Sequence, residues 1–398
     1  MFGSLVIRNG GYSLVHVQRL IDEFVKLVKI DSESGNERAI CDYLKNEMSN
    51  LGLYVVEDQS SMVTGHNAGN LIATLEADCE RAAEIPSVYF TSHMDTVTPG
   101  TEVKPQIRDG YIVSDGTTVL GSDDKAGLAA IIEAIRVIQE DNIKHGRIQF
   151  VFTIGEEVGL VGSKHIDSSL IQADYGFAID SNGPVGEIVT SAVSHKKITA
   201  KIKGKAAHAG VNPEEGVSAV QIASKAISRM KLGRIDHETT ANIGTIRGGT
   251  AMNIVPEGVE IIAEVRSHNE EKLNFYTELI VANFEQAAQE FGGSAEVKVV
   301  HLYPGYHFTE SDLVVKQAIK AIKRIGRKPI LRASGGGSDA NIFSSYGIPT
   351  VNLGVGYENI HTTKERMSIV ELRKTAELVV SLIQESTNVA TPKELVHV

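Results

Sequence analysis

SVYFTSHM, residues 87–94, is a strand-length run of mostly apolar side chains. A run of this kind reads as a strand buried on both faces, as in the interior of a parallel sheet. The elements around it agree. Upstream, residues 14–30 repeat apolar positions at helical spacing, and Ser34 with Glu37 makes a capping-box pattern ahead of a second helix through Leu44. LYVVED (53–58) and NLIATLEA (70–77) read as strands. Downstream come a helix from Lys125 to about Gln139, a second buried-type strand IQFVFTIG (148–155), a short helix near Gly162 and the strand YGFAID (175–180). Strands and helices that alternate in this way predict a mixed, mostly parallel sheet sandwiched by helices, an α/β fold.

The rhythm changes after Asp180. KKITAKIKG (196–204) alternates like a half-exposed strand, and residues 213–230 are expected to be helical. ANIGTIRG (241–248) and GVEIIAEVRS (258–267) are strands, 269–291 a long helix, and AEVKVVHLY (295–303) a strand. The order β-α-β-β-α-β is that of a small ferredoxin-like α+β domain. IPTVNLG (348–354) and a final helix capped by Ser368 and Glu371 return to the first pattern. The expected organisation is an α/β domain in two pieces, 1–190 and 309–398, with an inserted domain at 191–308.

Apolar residues make up 42% and charged residues 22% of the chain, an ordinary globular balance, and a net charge of −11 argues against a nonspecific nucleic-acid surface. No apolar run approaches the ~20 residues of a membrane span, and Met1 to Tyr12 lacks a basic region followed by a long apolar one. Cys41 and Cys79 read as reduced thiols. These features lead to the expectation of a cytoplasmic protein that binds neither membrane nor nucleic acid.

Five segments bear acids or histidines, four of them where a strand ends: His93-Met94-Asp95, Asp123-Asp124, Glu156-Glu157, Asp180 and His361. Each alone has a plain alternative: an Asp N-cap at 123, a solvated acidic turn at 156–157, a turn aspartate at 180, a surface histidine at 361. Together they offer nitrogen and oxygen ligands suited to zinc, although cobalt or manganese would also be accepted. For two divalent ions, Asp123, Glu157 and Asp180 supply three negative charges against four positive ones, leaving one for a hydroxide. Gly336-Gly337-Ser338-Asp339-Ala340 imitates a serine-hydrolase elbow imperfectly, since its last glycine is replaced.

FTSHMDTV (90–97), GSDDKAG (121–127), TIGEEVGLVGS (153–163), FAID (177–180), GKAAHAG (204–210), GGGSDAN (335–341) and IHTTKE (360–365) occur in this order. The set resembles the peptidase T (tripeptide aminopeptidase) branch of the di-zinc superfamily that includes aminoacylases and bacterial carboxypeptidases. The resemblance implies a metallo-exopeptidase that takes the N-terminal residue from short peptides, with two Zn2+ per subunit. His93 and Asp180 would bind one ion, Glu157 and His361 the other, and Asp123 would bridge. Asp95 would orient His93, and Glu156 would be the general base. The inserted domain would be a lid and the contact of a homodimer, His208 reaching the partner's active site. Asn253 and Arg266 would bind substrate. One departure concerns specificity: tripeptidases of the branch carry an arginine in the loop matching Gly335-Gly336-Gly337-Ser338-Asp339, so a strict tripeptide preference does not follow. Aminoacylase, carboxypeptidase or dipeptidase activity would use the same machinery.

Overall fold

The computed structural model describes residues 15–79 and 84–389. The reading of Met1–Tyr12 therefore lies outside the described residues. The chain divides into two compact units, one of residues 1–190, 308–333 and 338–398, the other of 191–307 and 334–337.

In the first unit the sheet runs in the order Tyr54–Glu57, Leu71–Leu75, Ile148–Thr153, Val88–His93, Tyr175–Ser181, Thr350–Gly354, Glu187–Ala192. Val88–His93 pairs in parallel with both neighbours, and Thr350–Gly354 is parallel to Tyr175–Ser181, while the outer pairs are antiparallel. Every residue of Val88–His93 and of Ile148–Thr153 is buried, which is why these stretches lack polar alternation. Phe90 sits opposite Phe150 and Phe177 in register, their ring centroids 5.8 and 5.7 Å apart. The helix Ser122–Glu140 is buried almost throughout, consistent with its run of Ala, Ile and Leu. Val17–Val28, Leu313–Arg324 and Ile369–Ser386 contribute the apolar faces that complete this core.

The second unit is an antiparallel sheet in the order Gly233–Arg234, Thr239–Gly248, Gly258–Ser267, Ser194–Lys203, Ser294–Tyr303. Ala219–Ser228 and Glu270–Glu290 cover one face, burying Ile198, Ile261 and Val265 with Ile222, Leu273 and Phe284.

Two local expectations fail for identifiable reasons. The helix expected over 213–230 begins only at Ala219, because Val217 is extended and exchanges backbone hydrogen bonds of 2.8 and 2.9 Å with Lys205. Ser34 and Glu37 form no capping box. Glu37 is itself the N-cap of Arg38–Asn50 without a side-chain cap, and Asn67 Oδ1 accepts from the Arg38 N–H at 2.8 Å. Both side chains are used elsewhere, at the site below.

Candidate active site

The parallel strands of the first unit end together. His93 closes Val88–His93, Glu156 and Glu157 follow Ile148–Thr153, and Asp180 lies near the end of Tyr175–Ser181. Ligand sites of open α/β sheets gather at this edge. His93, Asp123 and Asp180 present ligand atoms within 4.8 Å of one another, as do Asp123, Glu157 and His361. Asp123 is common to both groups. His93 Nε2 lies 3.1 Å from Asp123 Oδ1 and 3.7 Å from Asp180 Oδ1. His361 Nε2 lies 2.9 Å from Glu157 Oε1 and 3.4 Å from Asp123 Oδ2.

The protonation of His93 can be read from its partners. Its Nδ1 is 2.8 Å from the backbone carbonyl of Asp95, which can only accept, so Nδ1 carries the proton. In the neutral ring Nε2 then offers its lone pair towards Asp123 and Asp180, the arrangement a metal-binding imidazole requires. The carboxylate of Asp95 is 3.4 Å from the same nitrogen but serves mainly the next turn. Its Oδ1 accepts from the Glu156 N–H at 2.9 Å, and its Oδ2 from the Glu157 N–H at 3.2 Å and Ser34 Oγ at 2.6 Å. Glu37, fully buried, accepts through Oε1 from the N–H groups of Gly35 (2.9 Å) and Gly155 (3.2 Å) and faces His66 Nδ1 at 2.8 Å. Gly155 has φ +56°, and a Cβ there would meet His66 Cε1 at 2.5 Å, so only glycine lets the chain turn under that ring. Asp180 is held by Asn352, which bonds its N–H (3.0 Å) and carbonyl (2.7 Å), and by the Tyr357 hydroxyl at 3.1 Å.

A model of peptidase family M20/M25/M40 matches residues 89–385. The chain belongs to that family. The protein YqjE of Bacillus subtilis is 54% identical to it over 94% of this chain and 100% of that one. The structure of aminopeptidase PepT from Bacillus cereus superimposes with a TM-score of 0.90 at 55% identity, covering 94% of this chain and all of that one. A Staphylococcus aureus tripeptidase gives 0.92 at 48% identity with the same coverage. The M20 chain is thus a hydrolase of the metallopeptidase class, and its likeness to the peptidase T branch extends over nearly its whole length.

The electrostatics of the M20 site are those of too many acids in too little water. Burial, with Asp123 and Asp339 nearby, pushes Asp180 up to about 7 despite His93. Burial and the charge of Asp180 raise Glu156 well above the carboxylate range, and burial raises Glu157. Burial alone would lower His93, but Asp123, Asp180 and Asp95 outweigh it and raise it. Hydrogen bonds to Asp123 and Glu157 take His361 to about 10. Only added positive charge relieves this set, and its nitrogen and oxygen donors fit divalent cations.

His208, Asn253 and Arg266 belong to the second unit. His208 and Asn253 are exposed, on loops joined by a 2.9 Å bond from the Ala209 N–H to the Asn253 carbonyl. Arg266 pairs with Glu264 at 3.0 Å and donates to the Gly335 carbonyl at 3.2 Å. Ser338 is no nucleophile elbow: its hydroxyl caps the helix Asp339–Ser345 in a capping box with Asn341. Arg332 is engaged with Glu187 at 3.3 Å. Ser34, His66, Asn352 and Tyr357 were absent from the sequence-derived site, since none has a sequence signal apart from its distant partner.

Proposed function

We propose that this M20 peptidase is a metal-dependent aminopeptidase that removes the N-terminal residue from short peptides. The observation that carries the reading is the sharing of Asp123 by two donor groups, with Glu156 left over beside them. His93 and Asp180 would hold one zinc ion, Glu157 and His361 the other, with Asp123 common to both; cobalt or manganese would serve the same donors. When bound, such ions supply Lewis acidity, polarising the scissile carbonyl and lowering the pKa of water from ~15.7 towards ~7. Glu156 receives the proton of the attacking water and delivers it to the leaving amine. Its backbone N–H is tied to the Asp95 carboxylate at 2.9 Å, which anchors the chain at the residue next to Glu157.

Cleavage at the N-terminus is supported by the PepT aminopeptidase and the tripeptidase, the two similar structures. The second unit acts as a lid and dimer contact, with exposed apolar side chains at Val211, Ile246 and Met252 available to a second copy. His208 of that copy would stabilise the developing oxyanion, and Asn253 and Arg266 would hold the substrate. Free Cys41 and Cys79 suit a cytoplasmic enzyme.

The test is a chelated enzyme reconstituted with Zn2+, Co2+ or Mn2+ and offered Ala-Ala-Ala and its N-acetylated form. Restored cleavage of the free peptide alone supports the reading, whereas preference for the acetylated form makes the protein an aminoacylase on the same scaffold. Glu156→Ala should keep its metal and lose about 10²–10⁴-fold in kcat. Near wild-type turnover would remove Glu156 from its role.

A further inference from the structure

Glu365 belongs to neither donor group, yet it is 2% exposed and both its oxygens are occupied. Oε2 accepts from the N–H groups of Leu120 and Gly121, each at 2.8 Å. Oε1 accepts from Ser122 Oγ at 2.6 Å and from the Asp123 N–H at 3.0 Å. Four donors fill the sites a carboxylate can offer. All four come from one turn of chain, and that turn ends on Asp123.

The turn needs an outside acceptor. Gly121, which precedes the helix Ser122–Glu140, has φ +73° and no side-chain cap, and Asp123 (φ −84°, ψ 102°) and Asp124 (φ −120°, ψ 32°) are not helical. Backbone N–H groups at such a start have no intrahelical partner. Glu365 also lies four residues after His361. The loop between them is braced by the Glu365 N–H to the Thr362 carbonyl (3.0 Å) and the Lys364 N–H to Thr362 Oγ1 (3.2 Å). One short loop thus grips Asp123 twice, His361 at the carboxylate (3.4 Å) and Glu365 at the backbone (3.0 Å).

We propose that Glu365 is the positioning residue of Asp123: its carboxylate fixes the backbone of residues 120–123 and so places the one acid common to both donor groups. The inference rests on the metal reading above. It implies that a side chain touching neither ion governs the affinity of both.

Glu365→Gln is the sharpest perturbation, because it keeps size and removes acceptors from one side only. Ser122 Oγ can rotate and accept from the new amide, so the favoured orientation turns Nε2 towards Ser122 and Asp123 and leaves the Asp123 N–H without an acceptor. Chelated wild type and variant are titrated with Co2+, followed by the d–d absorption bands and by calorimetry. The expected result is two ions per subunit in wild type, and in Glu365→Gln a dissociation constant weakened about 10–100-fold at both, with altered bands. The Michaelis constant for peptide at saturating Co2+ should stay near wild type. Wild-type affinity and bands in the variant overturn the inference and leave the metal reading standing. A wild type that binds no Co2+ overturns the metal reading itself. Should Glu365→Gln fail to fold, Ser122→Ala, which removes one of the four donors, should weaken Co2+ binding about 3–10-fold. Unchanged binding there also overturns the inference.

Discussion

Replacing Asp95 by Asn probes how the turn carrying Glu156 and Glu157 is held. Asp95 is fully buried, and each oxygen has work: Oδ1 accepts from the Glu156 N–H, Oδ2 from the Glu157 N–H and Ser34 Oγ. An amide accepts through one atom only. If Nδ2 faces Glu156, it meets an N–H at 2.9 Å, the shorter of the two backbone bonds. If it faces Ser34 and Glu157, the hydroxyl can rotate to accept, and only the longer bond of 3.2 Å is lost. The second orientation should prevail. It loses one charge-assisted hydrogen bond, worth about 1.5–3 kcal/mol, and orphans the Glu157 N–H at a further cost of about 1–3 kcal/mol. Part of the sum is relieved by movement of the turn, so about 3 kcal/mol of stability should disappear. The movement carries Glu156 with it, and a shift of about 1 Å at a catalytic group costs on the order of 10²-fold in turnover. Urea unfolding of the metal-free protein measures the first effect and kcat with saturating metal the second. In the Ser34→Ala background the amide has no hydroxyl to pair with, so Asp95→Asn should cost more there than in wild type. A variant within 1 kcal/mol of wild type at full turnover would refute the role given to this carboxylate.

Glu37 provides the contrasting case, because all its described contacts use Oε1 and, among the described residues, Oε2 has no hydrogen-bond partner. Glu37→Gln keeps the Oε1 acceptor but buries amide N–H groups where Oε2 had no partner, so it should lose about 1–3 kcal/mol by urea unfolding, whereas Glu37→Ala, which orphans the Gly35 and Gly155 N–H groups, should lose more; a larger loss in Glu37→Gln would contradict the geometry. Glu57 offers a pH test away from the site. Burial alone would raise it, but Arg38, at 2.6 and 3.1 Å, and the Gly69 N–H bring it below 4.5. Its folded form thus binds its proton less readily than the unfolded chain, so its stabilisation is complete above the unfolded value and fades as pH falls below about 4.5. The urea midpoint of wild type should exceed that of Glu57→Gln at pH 6–7 and converge with it on acidification; a difference that grows with acid would contradict the sign.

Much of the architecture is legible in the sequence because strand-length apolar runs leave few choices. The strand expected at 258–267 is found as Gly258–Ser267, and 87–94 and 148–155 contain the buried strands Val88–His93 and Ile148–Thr153. Leu313–Arg324 is missing from the expected elements, although Val314, Val315, Ala318, Ala321 and Ile322 recur at helical spacing and are buried. Five acid- and histidine-bearing segments stand out for a chemical reason: such residues at the ends of buried strands are costly unless something compensates them. The structure brings His93, Asp123 and Asp180 together, and likewise Asp123, Glu157 and His361, with ligand atoms within 4.8 Å in each group.

The supporting residues are hidden for a different reason. A capping box is a rule about four consecutive positions, and Ser34 and Glu37 satisfy it on paper. The competing partners lie far along the chain: Asp95 is 61 residues from Ser34, and Gly155 is 118 from Glu37. A local rule cannot weigh an acceptor or donor that only the fold delivers. The same holds for Glu365 and Asp123, which are 242 residues apart. Asp95, Glu37 and Glu365 are buried carboxylates that bind backbone N–H groups, at 156 and 157, at 35 and 155, and at 120, 121 and 123 respectively. A backbone donor cannot rotate away as a side chain can, so each of these acids fixes the path of the chain as well as a contact. Asp123, Glu157 and the neighbouring Glu156 thus stand on main-chain turns tied by distant acids, and losing one acid should displace a whole turn. That is why amide substitutions, which change acceptor count without changing size, separate support from bulk at Asp95 and Glu365, while at Glu37 the amide keeps the bond to Gly155 and adds only the cost of its own unpaired N–H groups.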